Sequence, residues 1–350
     1  MEITLFSSDS NGQYKKDIYN VIAAPRNATY RFRYKSKYIE ESLLSQIREN
    51  SLVGTKALIA FRTNSDQPET PPFMVPIRWA TIKETFFISE ICIVTFTVEE
   101  YPQFNQAFLT AAKDFQSNKA FAQKFFRMND RNEKYVFPLI PDMVDRNVAE
   151  GQDSEKRWIS IIEALKQHSS FSNSIFFRTV LPAQDNNTYP SHFELKEKDY
   201  KEVELWHYCA NDTAVCSADV EIVTDANLIN PISGSRSKIE CRYDRSQYGF
   251  QALQGTKGSM AQITFNIVSL DENGKPIKSE ETKIALEANI KKRWSQRIVR
   301  AILSFVGSAL ISAVATIASL DTEIPLWICI ALLLVGSLLA AVNWLFSGDD

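Results

Sequence analysis

Ala301 to Leu320 (AILSFVGSALISAVATIASL) and Leu326 to Phe346 (LWICIALLLVGSLLAAVNWLF) are two charge-free runs, separated only by Asp321, Thr322, Glu323, Ile324 and Pro325. At 1.5 Å per residue, about 20 residues of helix cover a hydrocarbon core near 30 Å. The pattern therefore predicts a two-helix transmembrane hairpin, with Pro325 in the first turn of the second helix. Lys291, Lys292, Arg293, Arg297 and Arg300 precede the first run, whereas the short connection carries only acids. By the positive-inside bias this predicts an inner-membrane, multi-pass protein with both termini cytoplasmic. Ser304, Ser308, Ser312 and Thr316 recur every four residues, and Gly336 with Ala340 offers a second small face. Such stripes allow close helix packing, either within the hairpin or between subunits of a homo-oligomer.

Upstream of these runs the chain has a different character. Its 350 residues call for two or more folding units, since a domain commonly has about 100 to 150. A charged fraction of 23% and a mean hydropathy of -0.20 exclude both a polytopic transporter and a disordered chain. The net charge of -3 argues against bulk nucleic-acid binding while leaving room for local basic patches.

Strand-like segments fill the first hundred residues: 3–6, Thr29 to Tyr34, Ala57 to Arg62, Met74 to Trp79 and Phe86 to Val98, with one short helix over Glu40 to Asn50. A small twisted barrel with one helix fits them. Phe104, Phe108, Ala111 and Phe115, then Phe121, Phe125 and Met128, follow helical spacing and predict two short amphipathic helices. After a turn-rich boundary, Ser154 starts a helix bearing Trp158, Ile161, Ile162 and Leu165. Six further strand candidates from Phe193 to Leu286 follow, with Asn273-Gly274 as a two-residue hairpin turn. The expected fold class is α+β. Residues 1–150 form a β-rich domain with short helices, 151–290 a membrane-proximal antiparallel β-sandwich with a leading helix, and 291–350 the basic flank and hairpin.

Tyr30-Arg31-Phe32-Arg33-Tyr34-Lys35 alternates rings and cations, so a strand would put the rings on one face and the charges on the other. Arg26 extends this patch, and Arg62 and Arg78 lie on neighbouring predicted strands. Converging guanidinium forks suit a phosphate or nucleotide-like ligand. Alternatively the cations simply solvate a sheet face or protect its edge, or meet anionic lipid.

Other chemistry is sparse. HExxH, GxSxG, GxxxxGK[ST] and GxGxxG are all missing, and the only histidines are His168, His192 and His207. His207, Cys209, Cys216 and Cys241 match no strong zinc spacing, so reduced, mostly buried thiols and no metal are expected. Asp142 with Glu194-Leu195-Lys196 resembles the spaced acid and acid-x-lysine pattern of metal-dependent nucleases, which would use the carboxylates to hold Mg²⁺. No cofactor motif is present.

The layout resembles that of bacterial membrane effectors in antiviral defence, in which a sensory domain is joined to a few spans that damage or depolarise the membrane. That resemblance implies a non-enzymatic sensor whose recognition of a ligand or protein partner alters the packing or oligomerisation of the hairpin in the bilayer. A passive anchored scaffold, or less readily an anchored nuclease, are the alternatives.

Overall fold

The structure, a computed structural model, describes residues 2–8, 10–63, 74–104, 134–138, 144–145, 154–182, 193–211, 216–240, 242–253, 259–271, 273–291, 304–314, 316, 328, 330–332 and 334–337. They belong to two compact units, Met1–Ile290 and Lys291–Asp350.

In the first unit, strand β1 (Glu2–Ser7) leads to helix α1 (Gly12–Ala23), whose first turn is capped by Asn11 Oδ1 accepting from the Gln13 amide at 2.9 Å. Strand β2 (Thr29–Lys35), a 3₁₀ turn (Ser36–Tyr38) and helix α2 (Glu41–Arg48) follow, then β3 (Lys56–Arg62), β4 (Met74–Ile88), β5 (Ile91–Val98) and the short β6 (Val136–Phe137). The sheet order is β2-β5-β4-β3-β1-β6, with β1 and β3 parallel and the other neighbours antiparallel. Its two edges meet. Ile39, just beyond β2, bridges Val136 on β6, and amide hydrogen bonds from Tyr135 to the Tyr38 carbonyl (2.7 Å) and from Glu40 to the Val136 carbonyl (3.1 Å) close the ring. Phe32 and Tyr34 of β2 point inward onto Phe96 and the core, whereas Arg31, Arg33 and Lys35 are exposed.

Helix α3 (Ser154–Leu165) precedes nine strands: β7 (Ile175–Val180), β8 (Phe193–Lys196), β9 (Tyr200–Cys209), β10 (Ser217–Thr224), β11 (Ile229–Pro231), β12 (Arg236–Glu240), β13 (Tyr243–Ala252), β14 (Ser259–Leu270) and β15 (Pro276–Lys291). They build two sheets, β12-β10-β14-β15-β8 and β11-β13-β9-β7, around a core that includes Phe177, Val203, Leu205, Val220, Phe265 and Ile284. Strand alternation turns the second sheet's other face to the barrel. There Phe176 and Trp206 share one cluster with Trp158, Ile161 and Leu165 of α3 and with the barrel strands. Helix α1 packs against β1, β4 and β7 at this junction.

Two features of the sequence reading are corrected. The described chain is mostly β rather than an α+β protein ending in a transmembrane hairpin. Among the described residues no helix is long and apolar enough to cross a membrane. With that span goes the support for a multi-pass inner-membrane location, a lipid bilayer as partner and a homo-oligomer joined through the hairpin. The rest of the two apolar runs, most of the basic flank and the two helices predicted over Phe104 to Met128 lie outside the described residues, except Phe104, which bridges Val144.

Candidate functional site

Strand β4 carries Arg78 between the buried Ile77 and Trp79, and Arg78 is itself only 3% exposed. Its Nε donates to the Glu99 carbonyl at 2.6 Å, and its guanidinium carbon lies 3.8 Å from the centre of the Tyr101 ring. Tyr101 is fixed in turn by a 2.6 Å hydrogen bond from its hydroxyl to the Ile22 carbonyl of α1. Arg78 Nη1 is buried with no hydrogen-bond partner. Burial pushes the guanidinium pKa down, with Tyr101 and Glu100 acting in the opposite direction.

Arg178 approaches from β7. Its Nη2 donates to Ser154 Oγ at 3.0 Å, and its Nη1 is likewise buried without a partner. It lies 5.7 Å from the Tyr101 ring and 4.8 Å from the Trp206 ring, and Trp206 also receives Arg245 at 4.0 Å. Arg78, Tyr101, Arg178, Trp206 and Arg245 thus form an alternating ladder of cations and rings from β4 of the barrel to β13 of the sandwich. Glu100 sits between Arg26 at 3.5 Å and Arg157 at 3.6 Å, and Arg157 also donates to the Tyr101 carbonyl at 3.1 Å.

These groups line or border a cleft of about 520 Å³, counting the part open to solvent, bounded by the Pro25-Arg26 corner, Arg78, Glu100-Tyr101, Ser154 and residues 178–181. Among the described residues Glu100 pairs with Arg26 and Arg157, whereas Arg78 and Arg178, each with a bare Nη1, make no ion pair. Fixed guanidinium donors that converge on a recess are suited to an anion.

Of the six residues the sequence proposed for a phosphate patch, Arg26 and Arg78 reach this cleft. Arg31, Arg33 and Lys35 lie on the exposed face of β2. Arg62 is buried at a different place, donating to the Lys134 carbonyl at 2.5 Å and stacking 4.8 Å from the Tyr135 ring. Sequence reasoning passed over Arg178, Arg157, Glu100 and Tyr101. One signal was available, a lone arginine inside the apolar strand IFFRTV.

In the C-terminal unit Ser308, Ser312 and Thr316 are exposed and Ser304 is half-buried, whereas Gly307 and Val314 are buried. Gly336 packs so closely that a Cβ there would lie 3.0 Å from Ile311 Cγ1 and 3.1 Å from the Gly307 carbonyl oxygen, so the face that meets 336 runs through 307 and 311. Ala340 lies outside the described residues. Cys209 and Cys216 are joined as a disulfide with Cα atoms 6.0 Å apart, which corrects the expectation of reduced thiols at these two positions. Cys241 is outside the described residues, and no group of three or more His, Cys, Asp or Glu that would hold a metal occurs among those described. Asp142 is also outside them, while Glu194 and Lys196 lie on β8.

No protein-family model matches the chain, and no curated protein matches it. Several solved structures resemble part of it. A complex of zinc 2-glycoprotein and prolactin-inducible protein from human seminal plasma matches with 8% identity over 34% of this chain and 94% of that one (TM-score 0.24). The CARDB domain of a Pyrococcus furiosus protein matches with 11% identity over 34% and 94% (TM-score 0.22). A type I cohesin–dockerin complex from Clostridium thermocellum matches with 13% identity over 34% and 99% (TM-score 0.23). Cohesin modules seen with dockerins are therefore among the structures similar to part of this chain, and likeness at these scores carries nothing about activity or binding.

Proposed function

We propose that this chain is a recognition module that senses an anionic small ligand in the arginine cleft. One observation carries the reading: Arg78 is almost wholly buried, its Nη1 has no partner, and it lines the cleft. Leaving a buried charged donor unpaired costs more than an ordinary hydrogen bond gains. An anion bonded there removes that cost, and it draws Arg178 toward the same charge. Because Arg78 belongs to the barrel and Arg178 to the sandwich, occupancy tightens the junction between them, which is how a sensor would register its ligand.

The test is a thermal melt of the full chain with inorganic phosphate and with diphosphate. Ligand at about 100 times its dissociation constant adds about 2.7 kcal/mol, a shift of several degrees. Arg178→Glu, which keeps Arg78 and places a carboxylate in the cleft, should remove that shift while leaving the far-UV circular dichroism unchanged. A wild-type melt that ignores both anions up to about 10 mM rejects the reading.

A further inference from the structure

Resting on that reading, we infer that the ligand presents the doubly charged end of a phosphate monoester rather than a carboxylate, a sulfate ester or a phosphodiester. The charge balance comes first. Glu100 already contacts Arg26 and Arg157, and among the described residues neither Arg78 nor Arg178 makes an ion pair of its own. A singly charged group offsets only one of these two guanidinium groups, whereas a dianion offsets both.

Geometry points the same way. Both guanidinium carbons lie close to the same Tyr101 ring, at 3.8 and 5.7 Å, so they are less than about 10 Å apart. A carboxylate has two oxygens, and one bidentate arginine occupies both. The three terminal oxygens of a phosphate monoester project tetrahedrally and accept from two arginines approaching from different sides. A phosphodiester retains only two such oxygens and one charge. The half-buried Val180 and Leu181, with Pro25, supply an apolar wall at the same cleft, which suits the organic portion of an ester better than a free inorganic ion.

Protonation of the ligand distinguishes these groups. A phosphate monoester has its second pKa near roughly 6, so its dianion fraction drops about tenfold between pH 7.5 and 5.0. The charged and polar groups lining the cleft are Arg26, Arg78, Glu100 and Tyr101 on the barrel side and Ser154, Arg178 and Thr179 from α3 and β7, with Arg157 paired to Glu100 behind them. A sulfate monoester keeps one charge at both pH values, so it reports whatever those groups contribute to the pH dependence.

The experiment is calorimetric titration of the full chain with glycerol 3-phosphate and with methyl sulfate at pH 7.5 and 5.0. The phosphate ester should bind at least tenfold more tightly than the sulfate ester at pH 7.5 and lose about tenfold at pH 5.0, while the sulfate ester stays flat. Arg178→Lys, which keeps the charge and removes the planar fork, should weaken the phosphate ester at least about tenfold. Should that variant fail to fold, the wild-type comparison of the two esters decides alone. Equal, pH-independent affinity for both esters overturns the dianion assignment and leaves an anion site standing. A melt shift with inorganic phosphate but no heat with glycerol 3-phosphate overturns the monoester and spares the anion. No response to any of these anions removes both.

Discussion

Asp17 shows how a single side chain departs from what its residue type suggests. It lies half-buried on α1, and burial pushes its carboxyl up to about 6, against the opposing hydrogen bond from Gln13 and the charge of Arg33. The folded protein therefore binds this proton more tightly than the unfolded chain does. Stability falls as pH rises from about 4 through 6, and the cost is constant above that range. Asp17→Asn should accordingly raise stability by about 1 kcal/mol at pH 7.5, a figure reduced for the solvent that reaches this site, and the gain should shrink as pH approaches 4. Urea unfolding at the two pH values checks this, and a variant less stable than wild type at pH 7.5 would contradict it. Arg78 was visible in the sequence as a cation on a predicted strand, but its burial and its bare Nη1 were not. Both depend on Tyr101 and Glu99, more than twenty residues away, folding back over it.

At the scale of elements, local patterns were read well wherever a short-range rule governs them. The alternation in β2 sends Phe32 and Tyr34 inward and Arg31, Arg33 and Lys35 outward, as the two-residue period of a strand requires. The two-residue turn expected at Asn273-Gly274 is instead a five-residue connection between β14 and β15, from Asp271 to Lys275. Asp271 Oδ1 accepts from the Asn273 and Lys275 amides at 2.9 and 2.8 Å, and Gly274 has φ of 73°. A Cβ on Gly274 would meet nothing within 4 Å, so the cost of Gly274→Ala is conformational alone. It should be about 1 kcal/mol in urea unfolding, and a gain in stability would show that the turn does not need a left-handed residue. Helix α1 escaped the sequence reading because its apolar positions Ile18, Tyr19, Val21 and Ile22 follow a polar, lysine-containing first half. Its burial comes from β7, which lies over 150 residues downstream.

For the molecule up to residue 290, the junction between barrel and sandwich carries a buried polar chain. The Tyr19 hydroxyl and Ser174 Oγ lie 2.5 Å apart, Ser174 Oγ donates to Glu280 at 3.0 Å, and Lys15 stands 3.5 Å from the same carboxylate. Lys16 pairs with Glu281 at 2.5 Å, and Asn20 Oδ1 accepts from the Lys283 amide at 2.7 Å. Helix α1 is thereby tied to both sandwich sheets, next to a hydrophobic cluster that barrel and sandwich share. Tyr19→Phe should cost about 1 kcal/mol, and hydrogen exchange should register the same loss in β3 of the barrel and β14 of the sandwich. Protection lost in only one of the two would show that they open independently.

What the sequence determined by itself is local: strand alternation, the Asn-Gly turn region, the helix beginning at Ser154 and the concentration of cations near β2. These follow from periodicity and turn chemistry, which act over a few residues. The tertiary structure alone decided which arginines meet. Arg78 and Arg178 are 100 positions apart, and only closure of the barrel, with one sandwich sheet packed against it, brings both beside Tyr101.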